Sequence, residues 1–286
     1  MLETINLTRR FYTRNRLFRC KADTRFAACE DVSVSIAEGE IFGLVGESGC
    51  GKSTLAKLLL LLLKPCEGEI LIDGQNVTGI SCRNALMGVR RKIQYVPQNS
   101  GNSLNPHMTL ENIISEPMRN FGLPHKSRAG ELLEIVGLPP DWVRRRPAQL
   151  SGGQRQRVAI ARAISINPRT LILDEVTSSL DVITASSIIR MLGEINNEFN
   201  TSMLFITHDI SLADRFCRRK GVMKAGRIIE VADDLSKAEN EYTKSLVNSS
   251  LTRPKERKRD DFNEIEKEPI LPDSYKLACA LPCSLF

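Results

Sequence analysis

The sequence has no long apolar run. Its longest such run is six leucines at residues 58–63, which lie between Lys57 and Lys64. A helix that crosses a membrane needs ~20 apolar residues, so this run is far too short. The N-terminus also has no basic segment followed by an apolar one, so we expect no signal peptide. These absences predict a soluble or peripheral protein rather than an integral membrane protein.

Aromatic residues are scarce. They make up 5% of the 286 residues, with a single Trp, whereas hydrophobic residues in total make up 42%. This composition predicts an aliphatic core, and the length predicts one large domain or two modest ones. The net charge of +6 is a mild excess of 40 basic over 34 acidic residues. It is compatible with an anionic ligand or a membrane surface and establishes neither.

The cysteines do not form a recognisable framework. Without an export signal, we expect free thiols in a reducing compartment rather than disulfides. The eight cysteines are Cys20, Cys29, Cys50, Cys66, Cys82, Cys217, Cys279 and Cys283.

A basic segment lies near the N-terminus. Residues 9–25 contain seven basic residues and one acid, Asp23. Because no clustered motif accompanies them, a solvated excursion within an N-terminal hairpin is favoured over a nucleic-acid site, and we expect no nucleic-acid partner. Phe11 and Tyr12 lie at a distance before the glycine-rich loop that suits stacking on a nucleobase. Ordinary packing accounts for either residue equally well.

The clearest chemical signal is a glycine-rich loop at residues 46–54, which matches the pattern G-x-x-x-x-G-K-[ST]. An apolar segment that predicts a strand precedes it, and residues 55–63 predict a helix after it. Backbone N–H groups of such a loop surround phosphate oxygens, Lys52 reaches the β- and γ-phosphates, and Ser53 ligates Mg²⁺. The loop comprises Gly46, Glu47, Ser48, Gly49, Cys50, Gly51, Lys52, Ser53 and Thr54.

Two carboxylates end a second predicted strand at residues 170–175. We expect Asp174 to hold Mg²⁺ and Glu175 to orient or deprotonate the water that attacks the γ-phosphate. Gln98 ends the strand predicted at residues 92–98 and is a candidate contact to Mg²⁺ or water. His208 ends another predicted strand and is a candidate γ-phosphate contact. The alternative for Glu175 is an ordinary surface acid at a strand end. The alternative for His208 is a capping group without a role in catalysis.

The remaining pattern predicts an α/β protein. Strands alternate with helices, which indicates a parallel or mixed sheet with covered faces. Residues 99–166 change to helical spacing and resemble a helical insertion, and residues 222–231 predict a hairpin. Residues 252–268 hold six basic and six acidic residues without apolar periodicity, which is typical of a linker or disordered segment.

The motif at residues 150–157, Leu-Ser-Gly-Gly-Gln-Arg-Gln-Arg, resembles the signature of ATP-binding cassette (ABC) ATPases. Gln98 is similar to the glutamine of that family's Q-loop, residues 179–181 are similar to its D-loop, and His208 is similar to its switch histidine. Phe11 lies where the family has its adenine-stacking aromatic residue. One departure is Val176, where the family usually has proline, which changes local stiffness but no catalytic group.

This resemblance covers about residues 1–250 and implies a fold. We expect a P-loop NTPase (RecA-like) α/β core with an N-terminal antiparallel β subdomain and an inserted α-helical subdomain at about 99–166. Residues 251–286 would form a charged linker and C-terminal tail. The resemblance also implies that two cassettes enclose two ATP molecules head to tail. The signature and D-loop residues that it assigns to nucleotide binding are Ser151, Gly152, Gly153, Gln154 and Asp181.

Weaker features resemble the importers of oligopeptides, dipeptides and nickel, in particular their F-type ATPase subunit. They lie at residues 45–51, 101–106 and 241–246. The resemblance implies a heterodimer with a second homologous ABC ATPase subunit, two transmembrane permease subunits and, indirectly, an extracytoplasmic substrate-binding protein. It implies a peripheral position on the cytoplasmic face of the cell membrane. Cys279 and Cys283 do not complete a four-cysteine iron–sulfur site, so no cluster is expected.

Two alternatives remain at this point. A soluble ABC ATPase of translation or DNA repair would not be coupled to transport, but translation members hold two cassettes and repair members carry long insertions. The second alternative is a regulatory or structural cassette without catalytic activity. The intact residues Lys52, Asp174, Glu175 and His208 argue against it.

Overall fold

The computed structural model describes four stretches of the chain: residues 1–13, 24–98, 103–125 and 127–251. The chain divides into two compact units. The sheet unit comprises Met1–Gln98, Pro168–Ser178 and Thr201–Leu251. The described residues of the helical unit lie within Asn99–Asn167 and Ser179–Asn200.

Several sequence predictions concern residues outside these stretches. They are the middle of the basic N-terminal segment, residues 101 and 102 of the importer-like motif, the charged linker, and Cys279 and Cys283 of the tail.

The described residues contain ten strands and eight α-helices. The strands are β1 (Leu2–Thr13), β2 (Thr24–Ile36), β3 (Ile41–Val45), β4 (Glu67–Ile72), β5 (Gln75–Asn76), β6 (Ile93–Val96), β7 (Thr170–Asp174), β8 (Ser202–Thr207), β9 (Arg219–Lys224) and β10 (Arg227–Ala232). The helices are α1 (Lys52–Leu59), α2 (Arg83–Lys92), α3 (Leu110–Asn120), α4 (Arg128–Ile135), α5 (Gly152–Ile164), α6 (Val182–Phe199), α7 (Ile210–Phe216) and α8 (Glu241–Leu251).

The first sheet of the sheet unit has four strands in the order β2-β1-β4-β5, and every neighbouring pair is antiparallel. The half-buried alternation expected near residue 34 is present, since Val32, Val34 and Ile36 are buried and Ser33 is exposed. One face of this sheet therefore packs on the core and the other faces water, as is common for antiparallel sheets.

The second sheet has six strands in the order β10-β9-β3-β8-β7-β6. Strand β3 pairs in parallel with β8 and β9, and β7 pairs in parallel with β8 and β6; only the β9–β10 hairpin of this sheet is antiparallel. Strands β7 and β8 are buried at every position, as expected for strands covered on both faces. The parallel pairing places the carboxyl ends of β3, β6, β7 and β8 at one edge.

Helix α1 is shorter than the apolar run predicts. The run favours a helix to residue 63, but α1 ends at Leu59, and Leu61 adopts the left-handed conformation (φ 53°). The amide of Leu62 donates to Lys57 O (2.9 Å), and that of Leu61 donates to Leu58 O (2.9 Å). These two bonds form a Schellman C-cap, which is usually built on glycine. Hydrophobic periodicity carries no information about this turn.

Two other predicted boundaries differ from the structure. The strand expected at residues 92–98 is β6, Ile93–Val96, because Lys92 ends α2 and Pro97 cannot donate to a ladder. Helix α2 was not predicted from the sequence, and its only buried residue is Val89. A helix with such a narrow apolar face leaves little periodicity to detect.

The helical unit packs α3, α4, α5 and α6 together with two short 3-10 helices, Pro140–Arg144 and Pro147–Gln149. Arg157 of α5 links three of these elements. Its guanidinium donates to the backbone oxygen of Val136 and to Ser187 Oγ (2.7 Å), which lies on α6. The half-buried guanidinium thus satisfies the carbonyl just after α4 as well as a side chain of α6.

Within the four described stretches, no helix is both long enough and apolar enough to cross a membrane.

Two leucines of the leucine run, one within α1 and one after its end, offer a test of the core. Leu58 is fully buried (0% exposed), whereas Leu62 is 56% exposed. We expect Leu58→Ala to lower the free energy of unfolding by about 2–5 kcal/mol, because it leaves a cavity in the aliphatic core. The control Leu62→Ala should change it by less than about 0.5 kcal/mol. Urea unfolding followed by circular dichroism measures both, and equal losses would contradict the assigned end of α1.

Candidate active site

The glycine-rich loop at residues 46–54, called the phosphate loop from here on, begins directly after β3 and ends in α1. Its tight path requires glycine at two positions. A Cβ at Gly46 would lie 2.2 Å from Met223 O, and a Cβ at Gly51 would lie 2.1 Å from Ala28 O. Gly51 also has a φ of 116°, a conformation that residues with side chains rarely adopt. The loop is therefore packed against backbone of β9 and β2, and no larger residue fits at these two points.

Lys52 turns its side chain back into this loop. The residue is 6% exposed, and its Nζ donates to Gly46 O (2.6 Å) and Glu47 O (2.9 Å). The Cys50 Sγ lies 3.9 Å from the same ammonium. Burial raises the pKa of the Cys50 thiol, although Lys52 acts in the opposite direction. The lysine ammonium is thus held against two carbonyl oxygens of the loop that we expect to bind an anion.

Helix α8 contributes Tyr242, which lies near Glu47 of this loop and was not a predicted site residue. Burial, together with the Glu47 carboxylate, raises the pKa of Tyr242 to about 12. The Lys224 Nζ lies 4.0 Å from the centre of the Tyr242 ring. In the sequence, residues 241–246 indicate only a resemblance to one group of importers.

Asp174 is the last residue of β7 and is 3% exposed. Its Oδ2 accepts a hydrogen bond from Tyr95 Oη at 3.0 Å. Burial raises the pKa of Tyr95, and the charge of Asp174 and this hydrogen bond raise it further. Tyr95 was not among the predicted site residues, because a tyrosine in a short apolar strand is typical of ordinary packing.

Three of the predicted site residues meet around one carboxylate. Gln98 Nε2 donates to Glu175 Oε2 at 2.5 Å, and His208 Nδ1 lies 3.5 Å from Glu175 Oε1. The Glu175 side chain is 13% exposed and that of His208 is 50% exposed, so the cluster opens to solvent on the histidine side. A carboxylate held by an amide and facing water can accept a proton from that water.

The signature segment begins α5 in the helical unit. Ser151 is the N-cap, and it forms a capping box with Gln154: Ser151 Oγ accepts from Gln154 N (3.3 Å), and Gln154 Oε1 accepts from Ser151 N (2.9 Å). A Cβ at Gly153 would lie 2.5 Å from Thr184 Cγ2, while Gly152 has open space. The exposed start of α5 therefore presents backbone N–H groups and a partial positive charge.

Asp181 has the corresponding position at the start of α6. Its Oδ1 accepts from Thr184 N (3.0 Å) and its Oδ2 accepts from Thr184 Oγ1 (2.7 Å). These hydrogen bonds, that of the amide first, hold the pKa of the Asp181 carboxyl below its usual value. Helix capping accounts for this aspartate without a ligand, so its part in nucleotide binding stays a prediction.

Phe11 lies near the end of β1, opposite Phe26 of β2. Its ring is 38% exposed, and the Arg9 guanidinium carbon lies 4.9 Å from the ring centre. An exposed ring is available for stacking, but Phe11 as the adenine contact remains a prediction. The side chain of Tyr12, the alternative residue, lies outside the described part of the chain.

Comparison with known proteins identifies the family. The model of the ABC transporter family matches residues 29–178. The oligopeptide transport ATP-binding protein AppF of Bacillus subtilis (strain 168) is 40% identical over 256 residues, which cover 87% of this chain and 78% of that protein. The nickel import ATP-binding protein NikE of Escherichia coli (strain K12) is 44% identical over 208 residues, covering 71% and 77%.

Solved structures agree with this result. A dimeric ATP-binding cassette in a post-hydrolysis state, bound to ADP and Pi, is 32% identical with a TM-score of 0.71, covering 82% of this chain and 98% of that chain. The cassette cbiO1 from Clostridium perfringens, part of the ABC transporter complex cbiONQ, is 27% identical with a TM-score of 0.71, covering 93% and 98%.

The sheets, the phosphate loop and the carboxylate pair define a P-loop NTPase, so the predicted fold class is confirmed. The chain belongs to the ABC transporter family. It binds ATP and hydrolyses it, as the ATP-binding subunit of a transporter.

Lys52 provides the direct test of the phosphate loop. We expect Lys52→Ala to lower steady-state ATPase activity by at least ~100-fold, because it removes the buried charge that we predict to contact the β- and γ-phosphates. The matched control is Lys57→Ala on the same helix, where the lysine is exposed and activity should persist. ATPase activity of the assembled complex is the measurement. An unchanged rate for Lys52→Ala would contradict the role of this loop.

Proposed function

We propose that the chain energises an ABC importer, and that the cargo is a peptide (a dipeptide or oligopeptide) or a nickel complex. The observation that carries the proposal is the similarity to AppF and NikE, whose names assign them to oligopeptide transport and nickel import. These relatives favour transport over the soluble translation or repair function considered above.

The assembly we propose has two cassettes and two transmembrane permease subunits. A second, homologous ATPase subunit would complete a heterodimer, and a substrate-binding protein on the outer side would act indirectly. The dimeric state of one similar solved cassette supports a dimer. The chain would then lie at the cytoplasmic face of the cell membrane.

We also propose residues 1–250 as the ATPase domain, with its helical insertion at about 99–166, and residues 251–286 as a linker and tail.

In the proposed site, residues 46–54 bind the phosphates. The buried Lys52 ammonium supplies positive charge, and the start of α1 adds backbone N–H groups. Phe11 would stack on the adenine. Ser151 and Gly153 at the start of α5 would face the γ-phosphate that the partner cassette binds, and the corresponding segment of the partner would face the γ-phosphate bound here. Because that second anion site comes from another chain, an isolated subunit should hydrolyse ATP slowly.

The donors available for Mg²⁺ are oxygens, which Mg²⁺ prefers. Asp174 offers a buried carboxylate, Ser53 an exposed hydroxyl and Gln98 an amide oxygen. In the described residues no cluster of three or more His, Cys, Asp or Glu side chains could hold a metal. That fits Mg²⁺ held by one carboxylate, substrate phosphates and water. The ion would neutralise charge that develops on the phosphates.

We assign water activation to Glu175. Gln98 holds its Oε2 and His208 approaches its Oε1, so the carboxylate is oriented from two sides. When Glu175 takes a proton from the attacking water, the water oxygen becomes a stronger nucleophile toward the γ-phosphorus. His208, which is half-exposed, is placed to donate a hydrogen bond to a γ-phosphate oxygen. Gln98 would contact Mg²⁺ or the attacking water.

Replacement of Glu175 by glutamine separates binding from hydrolysis. The change is nearly isosteric, while Lys52, Ser53 and Asp174 remain to hold the nucleotide. We expect unchanged ATP affinity and a loss of ~10²–10⁴ in hydrolysis rate, the usual cost of removing a general base. Trapped ATP should raise the dimerised fraction. Nucleotide affinity, turnover and dimerisation are measured in a complex whose other site is disabled.

Glu69→Gln is the control, since it makes the same chemical change at an exposed residue of β4. Hydrolysis at the wild-type rate by Glu175→Gln would show that Glu175 is not the base. The role would then fall to His208 or to the partner chain.

The importer proposal itself is tested in the organism that encodes the chain. We expect Glu175→Gln in the chromosomal copy to abolish uptake of labelled peptides or of radioactive nickel, and the tagged chain to co-purify with two polytopic membrane proteins. If the variant loses uptake of only one of the two cargoes, that cargo is the substrate of the importer. If both uptakes persist and no membrane protein co-purifies, the chain does not energise such an importer.

A further inference from the structure

Tyr95 joins the aliphatic core to the carboxylate at the end of β7. Strand β6 pairs in parallel with β7, and Tyr95 lies opposite Ile172, two residues before Asp174. The Tyr95 ring packs against the buried core of the sheet unit. Its hydroxyl reaches beyond the ring and donates to Asp174 Oδ2 at 3.0 Å. A ring held by packing therefore fixes the position of one hydrogen-bond donor.

This donor matters because of where Asp174 lies. The residue is 3% exposed, and a buried carboxylate is stable as an anion only with hydrogen bonds or a positive charge. A phenol supplies the hydrogen bond without adding a second charge to the site.

The adjacent carboxylate has different partners. Glu175 is held by Gln98 and faces His208, whereas Asp174 is held by Tyr95. The two carboxylates are therefore oriented by separate groups. A change at Tyr95 should act on Asp174 alone, and this makes the role of Tyr95 open to a specific test.

We propose that Tyr95 is a positioning residue for Mg²⁺: its hydroxyl holds Asp174 Oδ2 and so turns Oδ1 toward the cation that accompanies ATP. The proposal rests on the function proposed above for Asp174. Outer groups that orient a metal ligand typically contribute ~10–100-fold to metal affinity or activity. Tyr95 does not touch the substrate, so its effect should be on the metal requirement rather than on the chemistry.

Tyr95→Phe removes only the hydroxyl and keeps the ring in the core. We expect the Mg²⁺ concentration for half-maximal binding of a fluorescent ATP analogue to rise about 10-fold. The affinity for the same analogue in EDTA should not change. Saturating Mg²⁺ should restore ATPase activity toward the wild-type kcat. A merely structural defect would lower binding with and without Mg²⁺, and added Mg²⁺ would not correct it.

Thr170→Val is the matched control. Thr170 is a buried residue at the start of β7, the strand that ends at Asp174. It lies four residues and ~13 Å from Asp174 along an extended chain. The replacement also removes one hydroxyl at nearly constant volume. We expect the Mg²⁺ dependence of this variant to match that of the wild type.

Two further variants, Asp174→Asn and Tyr95→Phe/Asp174→Asn, distinguish a wrong metal role of Asp174 from a wrong positioning role of Tyr95. If Tyr95 acts through Asp174, the double variant should have the same Mg²⁺ dependence as Asp174→Asn alone. If Asp174→Asn leaves the Mg²⁺ dependence unchanged, the proposed metal role of Asp174 is wrong. If Asp174→Asn raises the Mg²⁺ requirement and Tyr95→Phe does not, the role of Tyr95 is overturned while that of Asp174 stands.

Discussion

The parallel pairing of β3, β8, β7 and β6 is the constraint on which the active site depends. Parallel strands in register end at the same edge of a sheet, and here Val45 lies opposite Thr207 while Asp174 lies opposite Ile206. The phosphate loop, Glu175 and His208 each follow one of these ends directly. Residues far apart in sequence meet because the polar groups lie just past the last buried position of each strand. This is the usual location of ligand sites in open α/β sheets.

A second constraint acts on the phosphate loop from its sides. Gly46 approaches the backbone of β9 at Met223, and Gly51 approaches that of β2 at Ala28. The amide of Gly226, in the β9–β10 turn, also donates to Cys50 O at 2.8 Å. Backbone from both sheets thus holds the loop. Neighbouring strands confine the loop that would receive phosphate, and the glycines permit that confinement.

Sequence patterns predicted most of this arrangement, and the exceptions have physical causes. Strand ends that carry Asp174, Glu175 and His208 were recognisable because a polar residue abruptly ends a buried apolar run. The polar helix α2 and the end of α1 at Leu59 were not recognisable, because the first buries only Val89 and the second depends on a backbone turn at Leu61. The Tyr95–Asp174 bond was hidden for another reason. It joins neighbouring strands whose pairing is set by the fold and not by nearby sequence.

Glu175 shows why two adjacent carboxylates can have different tasks. Side chains alternate along a strand, but Glu175 leaves β7 with a φ of 48°, a conformation that costs a residue with a side chain about 1–2 kcal/mol. Three hydrogen bonds hold it there: its amide donates to Ile206 O (2.9 Å), and its carbonyl accepts from Ser178 Oγ (2.9 Å) and from Ser178 N (3.2 Å). The strained backbone aims Glu175 at Gln98 and His208 while Asp174 stays in the strand beside Tyr95. The same turn therefore separates the group that would activate water from the group that would hold the cation.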